Sequence, residues 1–261
     1  MLAACAAAGE TVICNAAREP EILDLQCYLR KLGARISGAG TSTVTVSGFR
    51  PQPFVEHTIM PDRIVAATIL CAGAACGGDV ELQGVDPDHF LTVLDSLSEA
   101  GCAIIKTAST VRLTSTGRLT APRPVVTQPY PGFPTDMQPQ IAVTLGLCCG
   151  TSIVTESIFE NRFRYVDELI RMGASIKVEG NTAIIDGVSR YTGASINAPD
   201  LRAGAALVIA ALAAEGMSVI DDIRYIERGY EDFPAKLQSL GAQIEKVESE
   251  RELQKFRLKI G

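Results

Sequence analysis

One pattern of apolar and polar positions recurs four times along the chain. A glycine opens a short alternating strand at Gly9-Glu10-Thr11-Val12-Ile13, Gly78-Asp79-Val80-Glu81-Leu82, Gly150-Thr151-Ser152-Ile153-Val154 and Gly216-Met217-Ser218-Val219-Ile220. A polar loop follows, then an amphipathic helix that runs into Gly33, Gly101, Gly173 or Gly241. Glycine just past a 3.6-period stripe is a helix stop, because it accepts the left-handed backbone that frees the last carbonyls. Two further alternating runs close each unit and predict a hairpin. They are Ala34-Arg35-Ile36 with Thr43-Val44-Thr45-Val46, Ile104-Ile105 with Val111-Arg112-Leu113, Ser175-Ile176-Lys177-Val178 with Ala183-Ile184-Ile185, and Ile244-Glu245-Lys246-Val247 with Phe256-Arg257-Leu258.

A second, more apolar helix precedes three of the opening glycines and starts at an aspartate each time: Asp62, Asp136 and Asp200. Aspartate is a favoured N-cap, so all three are expected to cap. The middle helix is expected from about Met137 to Cys149, which puts the cluster Glu156 to Arg162 at the far end of the following strand. Each unit is then a β-α-β-α-β-β module, a mixed α/β (α+β) class in which stacked copies cover one another's faces. The first copy opens inside its leading helix, so the chain is expected to be shortened at its front. The best boundary is around Gln52-Pro53, giving residues 1–60 as the last repeat of an incomplete first domain. Residues 61–261 then form a second domain of three repeats.

Composition narrows the chemistry. The net charge of −6 over 261 residues argues against a nucleic-acid partner, so any anion must be held by a local cluster of arginines. Eight cysteines without a C-x-x-C pair, several in Ala- and Leu-rich runs, are expected to be buried free thiols of a reducing compartment. Two histidines far apart leave little material for a zinc site. The longest apolar run, Ile64 to Cys76, is too short to span a bilayer, so a cytoplasmic protein with no membrane partner is expected.

Several polar residues sit where helices begin. An N-cap alone would explain Asp136, and the second reading is a rim carboxylate able to act as general base on a hydroxyl. Arg162 is either a solvated loop charge or half of a cationic pocket, since Arg228 occupies the corresponding strand-to-helix loop of the next unit. A cap or a salt bridge would explain Asp200 and Arg202. In Asn15 to Ile22 the charges either face the same rim or merely start a helix through Pro20 and Glu21. Gly-rich phosphate loops are missing, and Gly38-Ala39-Gly40 sits within a hairpin.

Taken together, Asn15 to Ile22, Pro61-Asp62-Arg63-Ile64, Phe133 to Gln138, Glu156 to Phe163, Asp200-Leu201-Arg202-Ala203 and Arg228-Gly229-Tyr230 resemble the enolpyruvyl transferase family. The resemblance is to its branch acting on UDP-N-acetylglucosamine, rather than to the shikimate-pathway branch, which shares the fold but not these strings. It implies six β-α-β-α-β-β copies in two inside-out α/β barrel domains, with substrates bound between them. It also implies transfer of the enolpyruvyl group of phosphoenolpyruvate to the sugar 3′-hydroxyl, by addition and then elimination of phosphate, with no cofactor or metal.

By the same resemblance Asp136 is the catalytic carboxylate that binds that hydroxyl. Ile158 lines the nucleotide-sugar site, Arg228 binds phosphoenolpyruvate, and Arg162, Asp200 and Arg202 are polar cleft residues. The family's mobile-loop cysteine has no counterpart among the eight here. Val65 stands where Glu is common, and Pro139 where Ala is usual. The chain alone is therefore not expected to turn over, and a non-catalytic remnant or assembly partner is the alternative.

Overall fold

The structure is a computed structural model that describes all residues except 51, 53 and 261. Pro53, half of the expected boundary, lies outside the described residues. The first unit runs α1 (Leu2–Ala6), β1 (Thr11–Cys14), α2 (Pro20–Lys31), β2 (Ala34–Ser37) and β3 (Thr43–Phe49). The second runs α3 (Arg63–Cys76), β4 (Gly78–Gln83), α4 (Leu91–Glu99), β5 (Ala103–Lys106) and β6 (Thr110–Ser115). Short strands β7 (Leu119–Thr120) and β8 (Val125–Val126) lead into α5 (Gln138–Leu145), β9 (Cys148–Cys149), β10 (Thr151–Thr155), α6 (Val166–Arg171), β11 (Ser175–Glu179) and β12 (Thr182–Asp186). Strands β13 (Tyr191–Thr192) and β14 (Ser195–Asn197) then precede α7 (Leu201–Leu212), β15 (Ala214–Glu215), β16 (Val219–Asp221), α8 (Arg224–Glu227), α9 (Phe233–Ser239) and α10 (Glu250–Ile260).

The repeat is physical. Gly33, Gly101, Gly173 and Gly241 all take φ between +88° and +106°, the left-handed stop that the helix periodicity predicts. Strand β6 pairs antiparallel with both β4 and β5, and β12 with both β10 and β11. Strands flanking a core helix pair parallel, β8 with β10 and β14 with β16, as a β-α-β crossover requires. The sheets are separate layers, and no closed barrel is formed among the described residues.

Helices α3, α5 and α7 make the centre and pack on one another. All eight residues of α5 are buried, and α3 and α7 are Ala-rich on every side, which lets three backbones approach closely. Gly204 lets α7 meet α8 as tightly: a Cβ there would sit 2.7 Å from Ile226 of α8 and 2.9 Å from Ala198 just before α7. The helices run in one direction, because Thr68 in the second turn of α3 meets Gln140 in the first turn of α5, and Asp136 before α5 meets Arg202 at the start of α7. Three positive helix ends therefore gather at one end of the core.

Sequence expectations fail in four places. The middle helix stops at Leu145, and Cys148–Cys149 turns into a strand beside β7 instead of extending it. The fourth hairpin is absent: residues 242–248 carry no regular structure, and Phe256, Arg257 and Leu258 lie in α10. Ser249 and Glu252 explain this. The Ser249 hydroxyl accepts the Glu252 N–H, the Glu252 carboxylate accepts the Glu248 N–H, and Glu, Gln, Lys, Arg and Leu fill the helix behind them. The place of the hairpin is a cavity of about 1190 Å³ between α7, β16, α9 and the C-terminal segment.

The third failure is Asp136, which does not cap α5. Pro134 leads into a 3₁₀ turn over Thr135–Met137, and Pro139 then removes one of the orphan donors that a cap would serve. Asp62 and Asp200 do cap, each accepting two backbone N–H groups at 2.8 to 3.0 Å. Fourth, the thiols are free but only partly buried: Cys71, Cys102 and Cys148 are inside, while Cys14, Cys27, Cys76 and Cys149 are exposed.

Burial pushes the Cys71 and Cys148 thiols up to about 12. Against their ordinary value of 9.0 this lowers the thiolate fraction at pH 8 roughly a thousandfold. In native protein at pH 8, Cys14, Cys27 and Cys149 are expected to react promptly with a disulfide reagent, and Cys71, Cys102 and Cys148 only after unfolding. Peptide mapping of the labelled sites checks this, and early modification of Cys71 would contradict the packing.

The first unit keeps its own small core of Leu29, Ala34, Ile36, Val44 and Val46, apart from the clusters around the three central helices. Its polar link to α3 gives one charge of the Asn15 to Ile22 stretch a partner. Glu21 takes the Arg63 Nε–H at 2.8 Å, so this charge serves a neighbouring helix as well as starting its own.

Candidate active site

Where the core helices begin, Asp136 lies between two guanidinium groups. Its Oδ1 accepts from Arg162 Nη2 at 3.0 Å, and its Oδ2 from Arg202 Nε and Nη2 at 3.2 and 3.1 Å. The exposures differ in a useful way: the carboxylate is 41% exposed, the arginine side chains 13% and 16%. The anion thus faces solvent while its counter-ions are planted in the protein. Burial alone would lower the Arg202 pKa, but the Tyr230 and Asp136 oxygens beside it leave it raised. The carboxylate, held on both oxygens, is open to a hydroxyl approaching from solvent.

Arg162 reaches Asp136 from the loop after β10. It also donates to the Thr135 carbonyl at 3.3 Å, and its guanidinium lies 5.4 Å over the centre of the Phe159 ring. Its Nε–H is buried with no partner among the described residues. The loop is shaped by Glu156, 3% exposed, whose Oε1 accepts from the Thr127 hydroxyl and the Ile158 and Phe159 N–H groups at 2.8 to 3.0 Å. Its Oε2 accepts from the Thr135 hydroxyl at 3.0 Å, so one buried carboxylate ties the loop to the turn that carries Asp136. Sequence reasoning gave Glu156 no role, yet the signal was present. The β10 alternation buries Ser152 and Val154, and one more step of two reaches Glu156.

Arg202 is backed by Tyr230, 2% exposed, whose hydroxyl lies 3.0 Å from Thr68 Oγ1 and 3.2 Å from Gln140 Nε2. These three polar residues sit where α3, α5 and the end of α8 meet. In the sequence Tyr230 stands only within the string Arg228-Gly229-Tyr230, with no role of its own, and Gln140 has none, because a buried tyrosine is indistinguishable there from a core aromatic.

The structure therefore joins Asp136, Arg162 and Arg202. Asp200 stands behind them, capping the helix that carries Arg202. Ile158, 42% exposed, lines a concavity of about 700 Å³ formed by residues 156–164 with Val178, Gly180 and Asn181. Arg228 is exposed at the end of α8 and makes no ion pair among the described residues, so the structure does not bring it to Asp136. Val65 is half-buried at the start of α3, its N–H bonded to Asp62.

The profile of the family described as EPSP synthase (3-phosphoshikimate 1-carboxyvinyltransferase) matches residues 1–237. Among curated relatives, a UDP-N-acetylglucosamine 1-carboxyvinyltransferase of Caldanaerobacter subterraneus is 50% identical over 95% of this chain and 59% of its own length. The Pasteurella multocida enzyme of that name is 47% identical over 97% of this chain and 59% of its own. The chain thus spans about three-fifths of the relatives it matches.

Among solved structures, the enolpyruvyl transferase NikO of Streptomyces tendae aligns over 92% of this chain and 57% of its own, with a TM-score of 0.78 and 27% identity. EPSP synthase of Acinetobacter baumannii shares the fold at a TM-score of 0.70 and 19% identity, over 95% of this chain and 60% of its own. With its repeats, its three buried helices and its matched profile, the chain belongs to the EPSP synthase family of enolpyruvyl transferases.

Proposed function

We propose that the chain supplies one wall of an enolpyruvyl transferase site acting on UDP-N-acetylglucosamine and phosphoenolpyruvate. The place of that reaction is the cytoplasm, at the first committed step of peptidoglycan precursor synthesis and so of cell-wall growth and division. The observation that carries the reading is the solvent-open Asp136 carboxylate on its two half-buried guanidinium groups. The names of the relatives at about half identity support the choice of substrate.

Asp136 accepts the proton of the sugar 3′-hydroxyl as that oxygen bonds to C2 of phosphoenolpyruvate, and C3 takes a proton from a general acid on the facing wall of the site. In the second half C3 returns a proton to that same group, and the C2–C3 double bond re-forms as the bond from C2 to the phosphate oxygen breaks. Inorganic phosphate leaves while Asp136 gives its proton to solvent. Arg162 and Arg202 hold the carboxylate in place through both halves, so the base costs little reorganisation when the proton moves. The unpartnered Arg162 Nε–H offers a donor to a ligand oxygen, and Ile158 gives the concavity beside it an apolar surface. Arg228, free of ion pairs among the described residues, is available to an anionic substrate arriving from outside this cluster. Residues 1–60 and 61–261 fall in different domains in this reading, joined at Glu21 and Arg63.

Titration calorimetry of UDP-N-acetylglucosamine into the chain tests the reading. Saturable one-to-one binding, weakened at least tenfold by Arg162→Ala, is expected. A folded chain that binds neither this ligand nor its mixture with phosphoenolpyruvate would overturn it and favour a non-catalytic role.

A further inference from the structure

We infer that Tyr230 is a positioning residue: its hydroxyl, fixed by Thr68 and Gln140, sets the Arg202 guanidinium against Asp136. The inference rests on the reading of Asp136 and Arg202 as site residues, and it follows from counting protons. Thr68 Oγ1 lies 2.7 Å from the Ile64 carbonyl, which can only accept, so the threonine hydrogen is committed there. Gln140 Nε2 has two hydrogens, and they point to Thr68 Oγ1 and to the Tyr230 oxygen, each at 3.2 Å. At the 3.0 Å contact between the two hydroxyls Tyr230 must then be the donor.

With its own hydrogen turned inward, the phenol oxygen presents a lone pair to Arg202 Nη1 at 3.5 Å. The tyrosine ring lies under the same guanidinium, 5.7 Å from its carbon to the ring centre. Arg202 is thus gripped on one side by Asp136, through Nε and Nη2, and on the other by Tyr230, through Nη1 and the ring face. The Thr68 hydrogen takes the Ile64 carbonyl at 2.7 Å in preference to the weak acceptor Met137 Sδ at 3.8 Å, and the arrangement then has one register. Tyr230 follows Arg228 by two residues, and the same anchor therefore fixes the backbone that carries that exposed arginine.

The test needs no substrate, so it can fail separately from the proposed function. The Arg202 Nε–H, bonded to Asp136, gives a side-chain amide signal in a proton–nitrogen spectrum, assigned by its loss in Arg202→Lys. Tyr230→Phe, which removes only the hydroxyl, is expected to speed exchange of that proton with water at least tenfold. Thr68→Val is expected to do the same without touching Arg202, because it takes away the acceptor that orients the phenol, and Thr68→Ser to restore slow exchange.

Tyr191→Phe controls for stability alone, since that buried hydroxyl bonds only the Val143 carbonyl and lies away from Arg202. Arg202 exchange unchanged in Tyr230→Phe or Thr68→Val, or equally fast in Tyr191→Phe, would overturn the inference. Absence of UDP-N-acetylglucosamine binding with these exchange effects intact would overturn the proposed function alone.

Discussion

Asparagine in place of Asp136 is expected to lower enolpyruvyl transfer by roughly 10²–10⁴-fold, the usual loss when a positioned general base is removed. The rate is read as phosphate release in a chimera that supplies the remaining two-fifths from a curated relative. Asparagine keeps the shape of the side chain but offers an acceptor at one end only. Its NH₂ must face either Arg162 or Arg202, where the structure has donors on both sides. One guanidinium therefore loses its partner, a hydrogen bond to a charged group worth about 1.5–3 kcal/mol when buried.

That figure falls toward about 1 kcal/mol here because the carboxylate is 41% exposed and solvent takes up part of the charge. Folding should thus survive while chemistry does not. Affinity for UDP-N-acetylglucosamine is expected to change far less than the rate. A variant that keeps the full rate would remove Asp136 from the reaction.

Glu156→Ala is expected to have the largest effect on stability, because four donors lose their common acceptor at a site that is 3% exposed. Unsatisfied buried donors cost about 1–3 kcal/mol each, and hydroxyls that can turn elsewhere recover part of this. A net loss of roughly 3–5 kcal/mol follows, which for a domain of this size lowers the melting temperature by about 10 °C.

The loop should also open. Arg162 and Arg164 are trypsin sites within it, and the variant is expected to be cut there well before the rest of the chain. Glu156→Gln is the informative partner. Its carbonyl can take the three donors on Oε1, and its amide can donate to the Thr135 hydroxyl, which is able to accept. Most of the stability and protease resistance should return. Resistance in Glu156→Ala equal to the parent would show that the loop is held by something else.

Much of this was legible beforehand. The four glycine stops, the caps at Asp62 and Asp200, three of the four hairpins and the alternating strands all depend on neighbours a few residues apart, and the sequence carries those neighbours within it. Family resemblance rested on short strings that the fold indeed places at one end of the core helices. The lost fourth hairpin was a local error too: the Ser249 and Glu252 capping box was readable and outweighs the alternation of the runs beside it.

What lay beyond reach depends on distance along the chain. Asp136 meets partners 26 and 66 residues away, and Tyr230 meets Thr68 from 162 away. No periodicity links such positions. The sequence by itself determined the repeats, their turns and the three apolar helices. Only their packing decided that one of three equivalent aspartates turns from its own helix to two arginines. There Pro139 had lightened the demand for a cap, and two guanidinium groups with no other carboxylate among the described residues offered Asp136 more than a backbone N–H could.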